Sequence, residues 1–182
     1  MARQADTILG CEMSQRWSEY KRQDNDLYET PEWVTLALLP HLPDDILSAW
    51  EPACGSGKML SVLEKHISKV MGTDISSGWD FLNHDAKYVE AIITNPPYKL
   101  AQQFIERALE YASFVAMLLR TDFDHAKTRA HLFGHNKTFA KKIVLTKRIK
   151  WFEDSKGSPS VNHAWFIWNI KHEGPPTIAY AP

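Results

Sequence analysis

The stretch that decides the fold is Leu47-Ser48-Ala49-Trp50-Glu51-Pro52-Ala53-Cys54-Gly55-Ser56-Gly57-Lys58. An apolar run to Pro52 reads as a strand, two glycines loosen the turn, and Leu60, Leu63 and Ile67 fall on one face of a helix from Gly57 to His66. Strand, glycine loop and helix in that order let the backbone approach a ligand at a helix N-terminus. Two familiar phosphate-binding patterns fail on spacing. GxxxxGK[ST] would need glycine where Pro52 stands and Ser or Thr at Met59, and GxGxxG would need glycine at Leu60. Asp74 ends the next strand, where a carboxylate can accept hydrogen bonds from both hydroxyls of a ribose, so the pair favours an adenosine-type ligand. A plain tight turn followed by a strand-end Asp remains the alternative on these residues alone.

Working outward, the pattern alternates. Strands are expected at Leu47 to Pro52, Lys69 to Asp74, Val89 to Thr94, Ser113 to Leu119, Lys142 to Thr146 and His163 to Ile170. Helices are expected at Glu32 to Leu39, with Thr30 as N-cap and Pro31 in the first helical position, at Leu100 to Tyr111, and at Asp124 to about Phe133, closed by Gly134. Strands alternating with helices predict an α/β sheet that is mainly parallel, with its ligands beyond the carboxyl ends of the strands.

The third strand runs into Asn95-Pro96-Pro97-Tyr98. Two adjacent prolines remove two ladder donors and fix two φ angles, so the chain leaving this strand is stiff. That stiffness aims the Asn95 side-chain oxygen and the Pro96 carbonyl at one point, with the Tyr98 ring alongside. Two acceptors and a stacking face suit a planar group that carries an NH2, such as adenine. A strand merely terminated by prolines is the bland alternative.

Taken in order, EPACGSG, TDI and NPPY resemble the class I S-adenosylmethionine-dependent methyltransferases, specifically those that methylate the amino group of adenine in DNA. The resemblance is strongest over residues 26–120 and implies a Rossmann-like sandwich on a seven-stranded sheet, closed by an antiparallel C-terminal hairpin. The tail RIKWFEDSKGSPSVNHAWFIW resembles that of small phage-associated methyltransferases. The implied cofactor is S-adenosylmethionine. By resemblance, Tyr28, Thr30 and Pro31 meet its methionine end, Glu51, Ala53, Gly55 and Gly57 line its middle, and Asp74 and Ile75 hold the ribose and adenine. Asp80 and Phe81 meet the adenine edge, and Asn95 faces both cofactor and acceptor. Asn95, Pro96, Pro97 and Tyr98 form the catalytic set, with Asn95 as acceptor and orienter of the amine. The N-terminus of the helix beginning at Pro31 is a further expected seat for a carboxylate. The histidines show no metal-ligand spacing, and His125, His131 and His135 are expected on a helix face or at the surface.

The chain has 182 residues, 21 Lys+Arg against 22 Asp+Glu, two cysteines and 44% hydrophobic residues. That fits one compact domain over 27–182, preceded by a polar arm at 1–26. Cys11 and Cys54 are too few for a disulfide framework or a four-cysteine zinc site. A reducing, cytoplasmic setting is expected, because two cysteines call for no oxidising compartment, the N-terminus lacks a long apolar core and no stretch approaches 18 consecutive apolar residues; the resemblance to phage-associated methyltransferases implies a bacterium or a phage-infected host cell. The net charge of minus one hides an asymmetry. Residues 1–119 carry net minus seven and residues 120–160 net plus six. Beside NPPY, the basic stretch is expected to meet nucleic acid, DNA ahead of RNA, through Lys127, Arg129, Lys147, Arg148, Lys150 and Lys156, with Trp151 and Tyr98 as stacking residues. A solvated surface is the competing reading of the same charges.

Little chain follows the core to serve as a target-recognition region, which leads to an expectation of weak sequence specificity, single-strand preference or recognition shared with a second subunit. Monomer and homodimer are both compatible with the sequence. RNA adenine methylation, protein glutamine methylation and a non-catalytic binding module are the rival functions.

Overall fold

The computed structural model describes residues 28–151 and 159–181. The expected arm at 1–26 and Lys156 lie outside the described residues. Seven strands form one sheet: β1 (Ser48–Glu51), β2 (Lys69–Gly72), β3 (Val89–Thr94), β4 (Ala112–Arg120), β5 (Phe139–Leu145), β6 (His163–Asn169) and β7 (Thr177–Ala181). Their spatial order is β2-β1-β3-β4-β6-β5-β7. β1 to β4 are mutually parallel, β6 runs antiparallel to both β4 and β5, and β7 lies parallel to β5 at the edge. The mainly parallel α/β sheet and its antiparallel pair match expectation. The seventh strand comes from Thr177–Ala181, which the apolar pattern did not single out.

Both faces of the sheet are covered, so its central strands are apolar on both sides. In β4, Phe114, Ala116 and Leu118 join one core with Val34 and Leu38 of α1 and its C-terminal turn and with Met59 and Leu63 of α2. Val115, Met117 and Leu119 join the other with Phe104, Ile105 and Ala108 of α3. Here α1 is Glu32–Leu36, α2 is Lys58–Leu63 and α3 is Ala101–Tyr111. Buried indoles need a hydrogen-bond acceptor. Trp165 donates to the Val34 carbonyl at 2.8 Å, Trp168 to the Leu132 carbonyl at 2.6 Å, and Trp50 to the Thr73 hydroxyl at 2.8 Å. Among the described residues no helix is long and apolar enough to cross a membrane.

Several local expectations are corrected. Thr30 does not cap α1; Pro31 is the N-cap residue, no side chain caps the helix, and Thr30 is buried. At five residues α1 is also too short for its dipole to make the expected carboxylate seat. The helix expected over 124–133 is replaced by two 3-10 segments, Phe123–His125 and Lys127–Leu132. Arg129 folds back between them, donating to the Phe123 carbonyl at 2.6 Å with its guanidinium 4.1 Å from the Phe123 ring centroid. Gly134 is not among the glycines with positive φ, so it is no left-handed helix cap.

Candidate functional site

Because β1 to β4 are parallel, their carboxyl ends share one edge, and the loops after β1, β2 and β3 converge there. They enclose a cavity of about 950 Å³ with residues 28–30 along one wall. This is the upper range of volumes typical for small-molecule sites.

The glycine loop forms its floor. Gly57 is the N-cap of α2 with φ at 86°, a conformation strained for any residue with a Cβ. The loop is tied to the neighbouring strand: the Gly55 amide donates to Asp74 Oδ2 at 3.0 Å, and the Cys54 amide donates to the Thr73 carbonyl. Asp74 also accepts from the Ser76 amide and hydroxyl at 2.9 and 2.7 Å. Burial pushes its pKa up, but these Ser76 bonds and the Gly55 amide outweigh that, and the net shift is down. Asp74 therefore stays an anion in the cavity wall.

Glu51 behaves oppositely. It is 2% exposed, its Oε2 has no hydrogen-bond partner among the described residues, and it lines the same cavity. Burial first, with the Asp74 charge adding to it against the opposing Leu60 amide, pushes its pKa up to about 8 from an ordinary 4.5. Between those two values the native state holds a proton that the unfolded chain has lost. Stability must then fall as pH rises from 5 to 8, by up to about 1.4 kcal/mol per pH unit for one proton. Urea unfolding across that range should show this slope in the wild type and lose it in Glu51→Gln. An identical slope in both proteins would contradict the assignment.

Asn95 follows β3. Its Nδ2 donates to the Tyr28 carbonyl at 3.1 Å, while its Oδ1 is buried without a partner among the described residues. The first bond fixes which way the amide points, leaving an acceptor in a residue that lines the cavity. A second strap joins the same wall: Glu29 pairs with Lys58 at 2.5 Å, and its carboxyl is held below the usual range by Lys58 and by the Ser56 hydroxyl.

Of the expected cofactor residues, Tyr28, Thr30, Glu51, Ala53, Gly55, Asp74, Ile75, Asp80, Phe81 and Asn95 line the cavity. Gly57 and Pro31 stand behind it as helix caps. Phe81 meets it from the core, with its ring packed at 5.1 Å from Trp50 and 4.9 Å from Phe104. Trp79, which sequence reasoning missed, adds a half-exposed indole beside exposed Ile75. Its signal was available: a tryptophan set between two strand-end motifs in a polar turn.

Pro97 lines the cavity, whereas Pro96 and Tyr98 do not; Tyr98 stands beside it. The Tyr98 ring lies 6.1 Å from Tyr28, which is 5.3 Å from Trp151, so two expected site residues far apart in sequence meet through a third. His163 also joins this group. Its Nε2 is 3.0 Å from the Tyr98 hydroxyl, and its ring meets Trp151 edge-on at 5.2 Å. Nothing in the sequence marked this histidine, which opens an otherwise apolar strand.

The basic stretch is only partly gathered at this edge. Lys147, Arg148, Lys150 and Trp151 follow the carboxyl end of β5 and lie there, whereas residues 121–138 carry the chain back towards the opposite edge. Lys147 and Lys150 are exposed, and Lys147 sits over the Trp33 ring at 5.0 Å. Arg148 braces its own loop through Asn162 Oδ1 and the Pro159 carbonyl. Lys127 is exposed, while Arg129 is committed to Phe123 as described above. Lys142 is also withdrawn, paired with Asp124 at 2.7 Å. His125, His131 and His135 are exposed, as expected.

No protein-family model matches this sequence, and no curated protein does. Solved structures do. A protein from Listeria monocytogenes assigned as a class I S-adenosylmethionine-dependent methyltransferase superposes with a TM-score of 0.61 at 16% identity, over 87% of this chain and 66% of its own. The fold is that of the class I methyltransferases. The same methyltransferase fold appears in a modification subunit assigned to a type I restriction enzyme of Vibrio vulnificus, with a TM-score of 0.58 at 15% identity, over 85% of this chain and 47% of that one. It appears again in a protein of Pyrococcus horikoshii assigned as an RNA methyltransferase, with a TM-score of 0.56 at 15% identity, over 80% and 87%. The chain thus spans about two thirds and about half of the first two proteins it matches.

Proposed function

We propose that this protein is an S-adenosylmethionine-dependent methyltransferase acting on the N6 amine of adenine in DNA, with the base flipped out or single-stranded. The observation that carries the reading is Asn95: one end of its amide is tied to Tyr28, and the other end is a buried acceptor with no partner among the described residues. A buried acceptor left unsatisfied costs about 1–3 kcal/mol, which a donor arriving with the substrate would recover.

The residues around the cavity fit the cofactor. Glu51 Oε2 is a buried polar atom with no partner among the described residues and so is open to the cofactor's polar groups, Asp74 is a fixed anion suited to ribose hydroxyls, and Ile75 with Trp79 offers apolar walls for a purine. Asp80, held by the Leu82 amide and Asn83, provides an acceptor at the purine edge. When bound, S-adenosylmethionine supplies an electrophilic methyl group, which the amine lone pair takes as the carbon–sulfur bond breaks.

The chain's own part is positioning. An exocyclic amine is a weak nucleophile because its lone pair is delocalised into the ring. Hydrogen bonds donated by that amine to Asn95 Oδ1 and the Pro96 carbonyl would favour a pyramidal nitrogen and direct its lone pair. Orientation and preorganised polar groups then supply most of the acceleration. Asn95 is neutral and takes no proton; the extra proton on the methylated nitrogen leaves to water. In a duplex the target amine lies in the stack, so the base must leave it, with Tyr98 as its stacking face.

Lys147 and Lys150 are assigned to phosphate contacts. Lys147→Ala with Lys150→Ala should weaken DNA binding uniformly across sequences. It should also lower the slope of log affinity against log salt by about 1.5 to 2, as measured by fluorescence anisotropy. An unchanged slope would remove both lysines from the interface. Polymer choice is tested by tritiated methyl transfer to single-stranded DNA, duplex DNA, RNA and peptide in parallel. Transfer to DNA adenine is expected; activity confined to RNA or to glutamine peptides would overturn the assignment.

A further inference from the structure

His163 is a costly residue for its place. It opens β6 directly opposite Arg120 of β4, is 2% exposed, and is followed by the buried run Ala164 to Trp168. An aliphatic residue would satisfy that core, and an imidazole there must recover its lost hydration through hydrogen bonds. Its Nδ1 has no geometrically adequate partner among the described residues. The contact that its Nε2 makes is with the Tyr98 hydroxyl at 3.0 Å, from a residue 65 positions away. Burial, reinforced by the nearby Arg120 charge, pulls its pKa down to about 4. The ring is therefore neutral at working pH and can exchange a single directional hydrogen bond with the phenol.

The surroundings give this bond a consequence. Tyr98 emerges from the two prolines at the end of β3, Trp151 from the loop after β5, and Tyr28 from the segment along the cavity wall. His163 touches two of these rings at once, holding the Tyr98 hydroxyl while meeting Trp151 edge-on with an interplanar angle of 85°. Prolines fix the backbone of the Asn-Pro-Pro-Tyr turn but do nothing for the Tyr98 ring, whose side-chain torsions remain to be set. We propose that His163 is a positioning residue: by holding the Tyr98 hydroxyl and the edge of Trp151, it sets the aromatic face on which the acceptor base stacks. The inference rests on the nucleic-acid reading above and adds to it a residue from the opposite, antiparallel part of the sheet. Tyr98 does not line the cofactor cavity, so losing this contact should disturb the acceptor and spare the cofactor.

Steady-state methyl transfer to an adenine-containing single-stranded oligodeoxynucleotide tests it, with wild type, His163→Phe, Tyr98→Phe, the double variant and His163→Gln. His163→Phe keeps a ring and removes the bond, whereas His163→Gln keeps a hydrogen-bonding group. Each Phe variant should lose about tenfold in kcat/KM for the oligonucleotide, with KM for the cofactor within about twofold. The double variant should be no worse than either single one, because both remove the same bond, and His163→Gln should recover to within about threefold of wild type. Additive losses, an equal loss in Gln and Phe variants, or a loss appearing only in cofactor KM would overturn the proposal. Imidazole nitrogen NMR gives a readout that does not require the His163 variants to fold: the His163 Nε2 resonance must move in Tyr98→Phe, and an unmoved resonance refutes the contact. No transfer by the wild type would overturn the parent reading and this inference together. An active wild type with an additive cycle overturns this inference alone.

Discussion

Asn95→Ala is expected to lower methyl transfer by at least about 10³-fold while leaving cofactor affinity within about threefold, because a preorganised group that acts on the reacting atom carries that scale of effect. The asymmetry follows from how the residue is built in. Its Nδ2 holds the Tyr28 carbonyl, and its Oδ1 is the buried acceptor without a partner among the described residues. Removing both atoms frees the end of the Tyr28 segment and takes away the acceptor that orients the amine. The glycine loop, Glu51 and Asp74 stay in place, since none of their hydrogen bonds involves Asn95. Single-turnover transfer beside calorimetric titration of the cofactor separates the two quantities. A variant that loses both in parallel would make Asn95 a cofactor-binding residue instead.

Asp74→Ala should show the converse pattern, weakening cofactor binding by about 10- to 100-fold. Asp74 is tied to Gly55 on one side and Ser76 on the other, so it both presents a carboxylate and holds the glycine loop against the end of β2. A hydrogen bond to a charged group contributes about 1.5–3 kcal/mol, which alone gives that range of affinity. Asp74→Asn keeps the Ser76 contacts and removes the charge, so it should fall between wild type and alanine. Unchanged affinity in Asp74→Ala by calorimetry would take this residue out of the site.

Much of the site was legible because it lies within local sequence. The glycine loop, the strand-end Asp74 and Asn-Pro-Pro-Tyr each declare themselves through backbone constraints that a few residues impose. Parallel strands then bring them to one edge without further information. β3 was legible to the residue, and β4 nearly so, since strands buried on both faces are continuous apolar runs. β7 was not. Thr177–Ala181 is a five-residue edge strand whose large apolar residues, Ile178 and Tyr180, remain exposed, and only the small Ala179 and Ala181 meet the core. The segment 123–132 has good helix formers, yet it breaks into two 3-10 segments bridged by the contact of Arg129 with Phe123. His163 was invisible for another reason. A lone histidine in His-Ala-Trp-Phe-Ile-Trp reads as a core residue, and only the register of β6 against β4 brings it to Tyr98. The charge asymmetry was read correctly as a sum and too generously as a surface, because Arg129 and Lys142 are used internally.

The central claim is that the Asn95 oxygen and its neighbours orient an adenine amine for methyl transfer. The most direct test incubates the purified protein with S-adenosylmethionine carrying a deuterated methyl group and single-stranded DNA, then digests the DNA to nucleosides for mass spectrometry, with Asn95→Ala in parallel. The account predicts deuteromethyl-labelled N6-methyldeoxyadenosine from the wild type and none above background from the variant. Label on another base, or equal label from both proteins, would contradict it.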